Sequence, residues 1–352
     1  MTSATFSKAV VLGMLFKVDV ANPNAGWTEE NVTPLKKIET PDNRQHPYIS
    51  GQALRRYLRD TLKENIEVDA SGNPLYKFSP EEPGPDPKSP ILTKGRPDLY
   101  IDDDLFGFMR AVREGTRRRE SPLRVSAAFG LFPYTGDRDL GTRSALQVTH
   151  DPERGGAVFE TEVTSNVFRT TWLLELDRVG YWLGYENAAE QGQWIAENTG
   201  TVQLAQNQTG HWGKLSDQER KTRIKAVLRA IKYFEGGARQ ARLLIELVPQ
   251  MVIYARCTRK VAMFLNSLQV TPADGRYRLE MGPLVEVLKD YASDIQSLKI
   301  GLREGFLVMS KAELLEEVRS ALGERAKEIK PVVGSVGEAV DSIVADIDKA
   351  SF

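Results

Sequence analysis

Residues 9–20 alternate between apolar and less apolar positions. Val10, Leu12, Met14, Phe16, Val18 and Val20 share one face, and Gly13, Lys17 and Asp19 share the other. That period of two predicts a half-buried strand with one open, partly polar face. A loop rich in Asn and Gly follows over 21–31. Ser50 then offers a good helix N-cap, and no proline follows until Pro74. At helical spacing Gln52, Arg55, Arg56, Arg59 and Lys63 fall within roughly a third of the circumference. Leu54, Tyr57, Leu58 and Leu62 lie opposite. The spacing predicts an amphipathic helix with one buried face and a row of cations on the other.

The same reading continues down the chain. Leu123, Val125, Ala127, Phe129 and Leu131 predict a second strand over 123–132. Phe168, Trp172, Leu174 and Leu176 predict a third over 167–176. Between them, residues 134–164 read as an extended hairpin, with Leu146, Val148, Val158 and Phe159 on two arms. Its tip, from His150 to Gly156, has the Asp-Pro and Gly-Gly chemistry of a turn. Ser216 and Glu219 form a capping box opening a helix. Ile224, Val227, Leu228 and Ile231 point inward there, with Arg220, Lys221, Arg223, Lys225, Arg229 and Lys232 mostly outward. That helix stops at Gly236-Gly237, and a fourth strand spans 251–259. The remainder reads as helical, with a periodic stretch over 283–298 and capping boxes at Ser310–Glu313 and Ser335–Glu338.

Three stretches have a different texture. Residues 77–98 hold six prolines and predict a mobile excursion without sheet or helix. Asp102, Asp103 and Asp104 read as an exposed turn or a helix cap rather than a metal site, since adjacent carboxylates converge on one ion only in a defined turn. Arg110, Arg113, Arg117, Arg118 and Arg119 form a basic patch, open between a solvated loop and a phosphate site. Residues 177–215, with three tryptophans, show no clear period.

Composition narrows the function. At 352 residues and 41% hydrophobic content the chain has material for a sizeable core. Lys and Arg number 47 against 48 acids, so any nucleic-acid binding must use a local stripe of cations. A single cysteine, Cys257, excludes an intramolecular disulfide and a cysteine-based zinc cluster. No signal-peptide pattern and no long apolar run appear, and a soluble cytoplasmic protein with no membrane partner is expected.

The order strand, helix, strand, strand, helix, strand is the split βαβ pattern. It predicts an α+β fold, an RRM/ferredoxin-like antiparallel sheet with helices on one face and an open face that can meet RNA. The aromatic stacking signature of a free-standing RRM is absent, so RNA binding would be directed at the backbone. For the Ser50 helix two readings remain open: a solvated amphipathic face, or a grip on a polyanion at a helix start rich in free N–H groups.

Five strings then carry a resemblance: HPYISGQALRRYLRD (46–60), DDDLFGFM (102–109), SPLRVSAAFGL (121–131), WLLELDRVG (172–180) and GGARQAR (236–242). In that order they resemble the DevR-type branch of the Cas-seven family, which forms the helical backbone of type I CRISPR Cascade complexes, especially subtype I-B. The resemblance runs from about residue 9 to 259. It implies a hand-shaped protein: a palm from 1–62, 122–134 and 165–260, a finger insertion over 63–121, and a thumb hairpin over 135–164. A C-terminal helical part over 261–352 lies outside it. It also implies copies stacked along one CRISPR RNA, whose bases remain free to pair with a target DNA strand. The partners implied are further copies of the chain and the large, small, guide 5′-end-capping and guide-processing subunits.

By position, the resemblance implies RNA contacts at Ser50, Gln52, Arg55, Arg56 and Arg59. Backbone amides at Gly236 and Gly237 join them, with Arg239. Lys17 is either a further contact or a plain surface lysine. Leu146, Val148 and Phe159, with His150 at the tip, either wedge against bases or pack on the next subunit.

Catalysis is not expected. Type III relatives cut RNA with an acidic residue in the loop after the first strand, where this chain has Asn22, Asn24, Glu29 and Glu30, and Asp19 is still on the strand. His46 is the one histidine beside the basic helix, and its plainer reading is a loop residue before Pro47. Neither it nor His150 or His211 has a partner constellation. No cofactor and no metal are called for. A metal-independent endoribonuclease and a stand-alone nucleic-acid-binding regulator are the alternatives, the latter without a convincing helix-turn-helix.

Overall fold

The computed structural model describes residues 6–83, 92–112, 115–143, 157–183, 202–207 and 210–352. In chain order the elements that position the site are β1 (Ala9–Ala21), β2 (Gln45–Ile49) and α1 (Gly51–Glu64). Then come α2 (Ile101–Leu105), β3 (Leu123–Val125), β4 (Ala128–Gly130), β5 (Arg138–Arg143), β6 (Ala157–Glu162) and β7 (Thr164–Glu175). After them lie α3 (Asp217–Ala230), α4 (Gln240–Leu243), β8 (Met251–Cys257), β9 (Val270–Ala273) and β10 (Arg276–Leu279). The chain closes with α5 (Met281–Asp290), β11 (Ile295–Leu302), α6 (Lys311–Leu322), β12 (Val332–Gly334) and α7 (Val336–Lys349).

One sheet organises these parts. Its order is β12-β11-β8-β1-β7-β4-β2, followed by a short strand Lys37–Glu39, with β3 also paired to β7. The four strands read from sequence lie side by side as fourth, first, third, second, all antiparallel. β12 joins β11 in parallel, so the whole sheet is mixed rather than antiparallel.

The expected second strand is two pieces. Ser126 turns aside between them, and its hydroxyl accepts from the Thr171 N–H at 2.9 Å.

Both faces of the sheet are covered. Val10, Leu12, Met14 and Phe16 pack with Leu54, Leu58, Ile224, Val227, Val340 and Ile343 from α1, α3 and α7. Ala9, Val11 and Leu15 pack with Phe264, Leu268, Leu284, Leu288, Leu314 and Val318 on the other side. The open face predicted for β1 is therefore closed over most of its length. Gly13 shows how close the second layer comes, since a Cβ there would lie 2.8 Å from the Phe264 Cβ. The alternation of β1 is apolar on both faces from Ala9 to Phe16, and only Lys17 and Asp19 break it, at the end of the strand.

The C-terminal part is not simply helical. The helix predicted over 283–298 ends at Asp290, and Ile295, Ser297, Leu298 and Ile300 enter the sheet beside β8. Pro283 suits the first turn of α5, where its missing N–H is no loss. The period of 3.6 and the strand period overlap over residues 295–298, so spacing alone does not separate them. α7 returns to pack against α3 on the α1 side. Among the described residues no helix is long and apolar enough to cross a membrane.

Candidate nucleic-acid interface

Three residues after β1, Asn22-Pro23-Asn24, tie the candidate site together. The buried Asn22 amide donates to the Glu162 carbonyl at 3.0 Å, at the base of the β5–β6 hairpin. The Asn22 main-chain carbonyl accepts from the Ala238 N–H at 2.9 Å. The Pro23 carbonyl accepts from the Tyr57 hydroxyl of α1 at 2.9 Å. The Asn24 side chain accepts from the Ser50 N–H at 2.9 Å, and the Asn24 main-chain carbonyl accepts from the Lys36 N–H at 2.9 Å. A rigid loop thus joins the start of α1, the Gly-Gly turn and the hairpin. The Asn-Pro pair after a strand was the available signal for a turn here.

α1 forms as its sequence dictates. The Ser50 hydroxyl accepts from the Ala53 N–H at 3.2 Å, and Leu54, Leu58 and Leu62 are buried. Gly51 is needed for packing, because a Cβ would meet the Val125 carbonyl at 2.6 Å. The space at that glycine is taken by the sheet rather than left for a ligand.

The row of cations does not stay in one environment. Gln52 and Arg56 are exposed, with Arg56 paired to Asp60 at 2.7 Å. Arg55 is half-buried and donates to the Phe106 carbonyl, and burial draws its pKa down. Arg59 is mostly covered and ion-pairs Asp102 at 2.9 Å and Glu81 at 3.1 Å. Its guanidinium is engaged inside the protein, which corrects the expectation of a free phosphate contact.

The cause is the aspartate run, which is buried in α2 rather than exposed. Asp102, Asp103 and Asp104 are 2%, 0% and 0% exposed. Asp102 also accepts from the Ser79 N–H at 2.8 Å, and Asp103 from the Arg96 N–H at 2.8 Å. These two bonds pin the proline-rich excursion on both sides of residues 84–91, so its flanks are anchored. Asp104 pairs with Arg119 at 2.5 Å and Arg223 at 2.8 Å, and accepts from the Gly180 N–H at 2.9 Å. Arg223, read as an outward residue of α3, is buried in consequence, and Arg220, read the same way, is buried too. Arg220 donates to the Val179 and Leu176 carbonyls, each at 2.8 Å. In the basic patch, Arg119 is thereby internal, Arg110 pairs with Glu82 at 2.8 Å, and Arg118 is exposed. Arg113 lies outside the described residues.

Asp103 differs from its neighbours. Burial, with a smaller push from Asp102, raises its carboxyl pKa above the usual 3.8. Just above that ordinary value the folded chain keeps a proton that the unfolded chain has lost. This group alone then makes stability fall as pH rises toward its folded pKa. We expect Asp103→Asn to remove that falling limb. The check is unfolding free energy against pH for both proteins, and identical profiles would contradict the assignment.

The Gly-Gly turn is built for packing. A Cβ on Gly236 would lie 2.2 Å from the Tyr57 ring, and one on Gly237 2.7 Å from Ile245 Cδ1. The Gly237 N–H faces the Tyr57 hydroxyl, whose pKa burial nonetheless raises to about 12. The Gly237 and Ala238 amides are turned to protein partners, and what the turn presents to solvent is Arg239. Arg239 sits at φ +58°, is exposed, and donates to the Thr33 hydroxyl at 3.2 Å. Lys17 is half-buried at the edge of the second layer and pairs with Asp19 at 2.6 Å. Asp19 also accepts from the Ser165 hydroxyl at 2.7 Å, and the lysine bond holds its carboxyl below the usual range.

On the hairpin, Phe159 lies opposite Gly141, and the Arg242 guanidinium stacks over its ring at 4.8 Å. Arg242 also pairs with Asp139 at 2.9 Å and donates to the Thr161 hydroxyl at 2.7 Å. Phe159 is thus packed within its own chain. The other hairpin face carries exposed Leu140 and Val158. Leu146, Val148 and His150 lie outside the described residues. Near the organising loop Trp27 is 94% exposed, and beyond α4 Leu244 is 88% exposed. Neither had a periodic signal.

His46 is a strand residue, not a loop residue. It is buried in β2, its Nδ1 lies 2.8 Å from the Gly130 carbonyl, and its ring stacks on Phe129 at 5.0 Å. Of the His211 side chain nothing is described. Among the described residues no group of three or more His, Cys, Asp or Glu is arranged to hold a metal ion.

These elements define a mixed α+β protein with a β-α-β-β-α-β centre, elaborated by an insertion, a hairpin and a second helical layer. The chain belongs to the family described as CRISPR-associated negative auto-regulator DevR/Csa2, whose model matches residues 11–267. A Myxococcus xanthus (strain DK1622) protein described as CRISPR-associated protein Cas7/Cst2/DevR is 33% identical over 126 residues. That match covers 32% of this chain and 39% of the relative, well under two thirds of its length. Two solved chains share the fold. One, from a CRISPR RNA-guided surveillance complex, has TM-score 0.54 at 16% identity, covering 96% of this chain and 99% of that one. The other, from such a complex described as pre-nicking, has TM-score 0.56 at 14% identity, with the same coverage of both chains.

Proposed function

We propose that the chain is a non-catalytic, guide-RNA-binding backbone subunit of a type I, subtype I-B, CRISPR Cascade surveillance complex. Copies stack along the CRISPR RNA and leave its bases free to pair with a target DNA strand. The sheet with α1 and α3 serves as a palm over 1–62, 122–134 and 165–260. Residues 63–121 serve as fingers, 135–164 as a thumb against the next copy, and 261–352 as a cover for the palm. The large, small, end-capping and guide-processing subunits complete the assembly.

The observation that carries this reading is the loop 22–24. It gathers a capped helix start, the Arg239 turn and the hairpin base around one rigid point. Gln52, Arg56 and Arg239 are exposed polar groups on α1 and the Gly-Gly turn, and Lys17 lies at the end of the preceding strand. Such groups position a sugar-phosphate backbone without reading bases. Some of the acids that balance the net charge are held in internal pairs, as Asp102 and Asp104 are.

Binding to single-stranded RNA should weaken steeply with salt, at a log–log slope near −0.7 for each phosphate neutralised. Gln52→Glu combined with Arg239→Glu should weaken binding and flatten that slope, with the melting temperature retained. An affinity that stays flat between low and moderate salt would overturn the backbone grip. The family's description as an auto-regulator favours a second reading, a stand-alone nucleic-acid-binding regulator. Tight binding of duplex DNA by the protein without RNA would select it. A ribonuclease is disfavoured because His46 is buried against a backbone carbonyl.

A further inference from the structure

The β9–β10 hairpin and Phe132 enclose an open notch of about 380 Å³, lined by Phe132, Pro272, Ala273, Asp274, Arg276 and Tyr277, with Gly275 at the turn. We propose that this notch seats one nucleobase of a bound single-stranded RNA, by stacking on Tyr277 and Phe132. The inference rests on the RNA-binding reading above and adds to it a site supplied by the C-terminal part.

The two rings are prepared for such a guest. Their centroids lie 6.0 Å apart at an interplanar angle of 21°. Phe132 is clamped from both sides by the buried Asn166, which accepts from its N–H at 3.1 Å and donates to its carbonyl at 2.7 Å. Tyr277 donates its N–H to the Phe306 carbonyl at 3.0 Å and accepts from Val308 at 2.8 Å. Its ring also rests against Phe306 at 5.2 Å. The hairpin turn is rigid as well, since Asp274 and Gly275 both have positive φ, +48° and +73°, as a two-residue turn requires.

Position favours a nucleic acid. Arg276 is exposed and lines the notch, with Asp274 at the turn. Lys17 and Asp19 lie close enough to the Tyr277 hydroxyl to act on it in opposite directions, and they pair with each other. Lys17 also marks the end of β1, directly before the loop 22–24, so the notch continues the interface already described. Aromatic faces beside cations take any base, because every base offers a π-face. A notch of this size suits one planar heterocycle better than a helix or strand of a partner.

The test measures affinity of the full chain for a single-stranded RNA and for the same strand with abasic sites. Tyr277→Leu should weaken the intact strand by about fivefold or more, and leave the abasic strand unchanged. Tyr277→Phe should bind as wild type does. Arg276→Ala, at an exposed position, should weaken the intact strand severalfold without touching the fold. 4-Thiouridine in the RNA should crosslink to Tyr277 or Phe132. If the wild type binds RNA but Tyr277→Leu and Arg276→Ala bind equally well, this inference falls and the interface stands. If the wild type binds no RNA, both fall. Self-association lost in Arg276→Ala, with RNA affinity intact, would overturn the proposal in favour of a protein contact.

Discussion

Asp104→Ala is expected to lower the unfolding free energy by about 3–5 kcal/mol. Asp104 is fully buried between the guanidiniums of Arg119 and Arg223, which are themselves 8% and 7% exposed. Removing the carboxylate leaves two buried cations facing each other. The carbonyls of Pro97, Asp98, Arg178 and Tyr181 accept hydrogen bonds from them but do not neutralise charge. The Gly180 N–H loses its acceptor too. Asp104→Asn should cost less, since an amide oxygen can still accept, though the cations remain uncompensated. Urea unfolding of both variants beside wild type checks the ranking. A loss below about 1 kcal/mol for the alanine variant would show that the pairs are solvated and that the burial is misassigned.

The second large effect separates two arginines that look equivalent in sequence. Arg59→Glu should destabilise the fold by about 3–5 kcal/mol, because it faces a new carboxylate with the buried Asp102. Arg56→Glu should change stability by less than about 1 kcal/mol, since Arg56 is exposed and loses only an exposed i,i+4 pair with Asp60. On the reading above, RNA affinity should nevertheless fall in Arg56→Glu. Thermal melts and RNA titrations of the two variants decide the matter. If Arg59→Glu melted as wild type, α1 would present all its arginines outward, as the helical period alone implies.

The four central strands and the two helices on one face of the sheet were legible in the sequence, because each is long, periodic and punctuated by a cap or a glycine. The cover on the second face was not. Ala9, Val11 and Leu15 were apolar on the supposedly open side, but a strong alternation through Phe16 masked them. Arg55 and Arg59 were placed on the correct helix and given the wrong environment, because period fixes a face and says nothing about which insertion folds over it. The aspartates of α2 were misread for a related reason: their arginine partners come from residues 59, 119 and 223, and no local pattern joins them. Gly236 and Gly237 were read for RNA contact, whereas the structure shows them in close contact with Tyr57 and Ile245, a tertiary reason no local pattern carries. Asn22-Pro23-Asn24 passed as ordinary loop, although it holds the site together.

The position of β1 has a consequence for how the chain is made. β1 is a middle strand of the sheet, and its two neighbours are β7 and β8, far along the chain, whose pairing residues include Leu174 and Arg256. One edge of β1 waits for β7, which ends at Glu175, and the other for β8, which ends at Cys257. Pairings so distant in sequence close slowly, since the loop entropy must be overcome before the contacts reward it. Until both are present an apolar strand keeps at least one unpaired edge, a species prone to aggregate. On the reading proposed above, assembly on RNA would therefore wait for β8. A truncated or stalled chain lacking β8 should be unable to offer the loop 22–24 in its folded form, and on that reading should not join other copies on RNA.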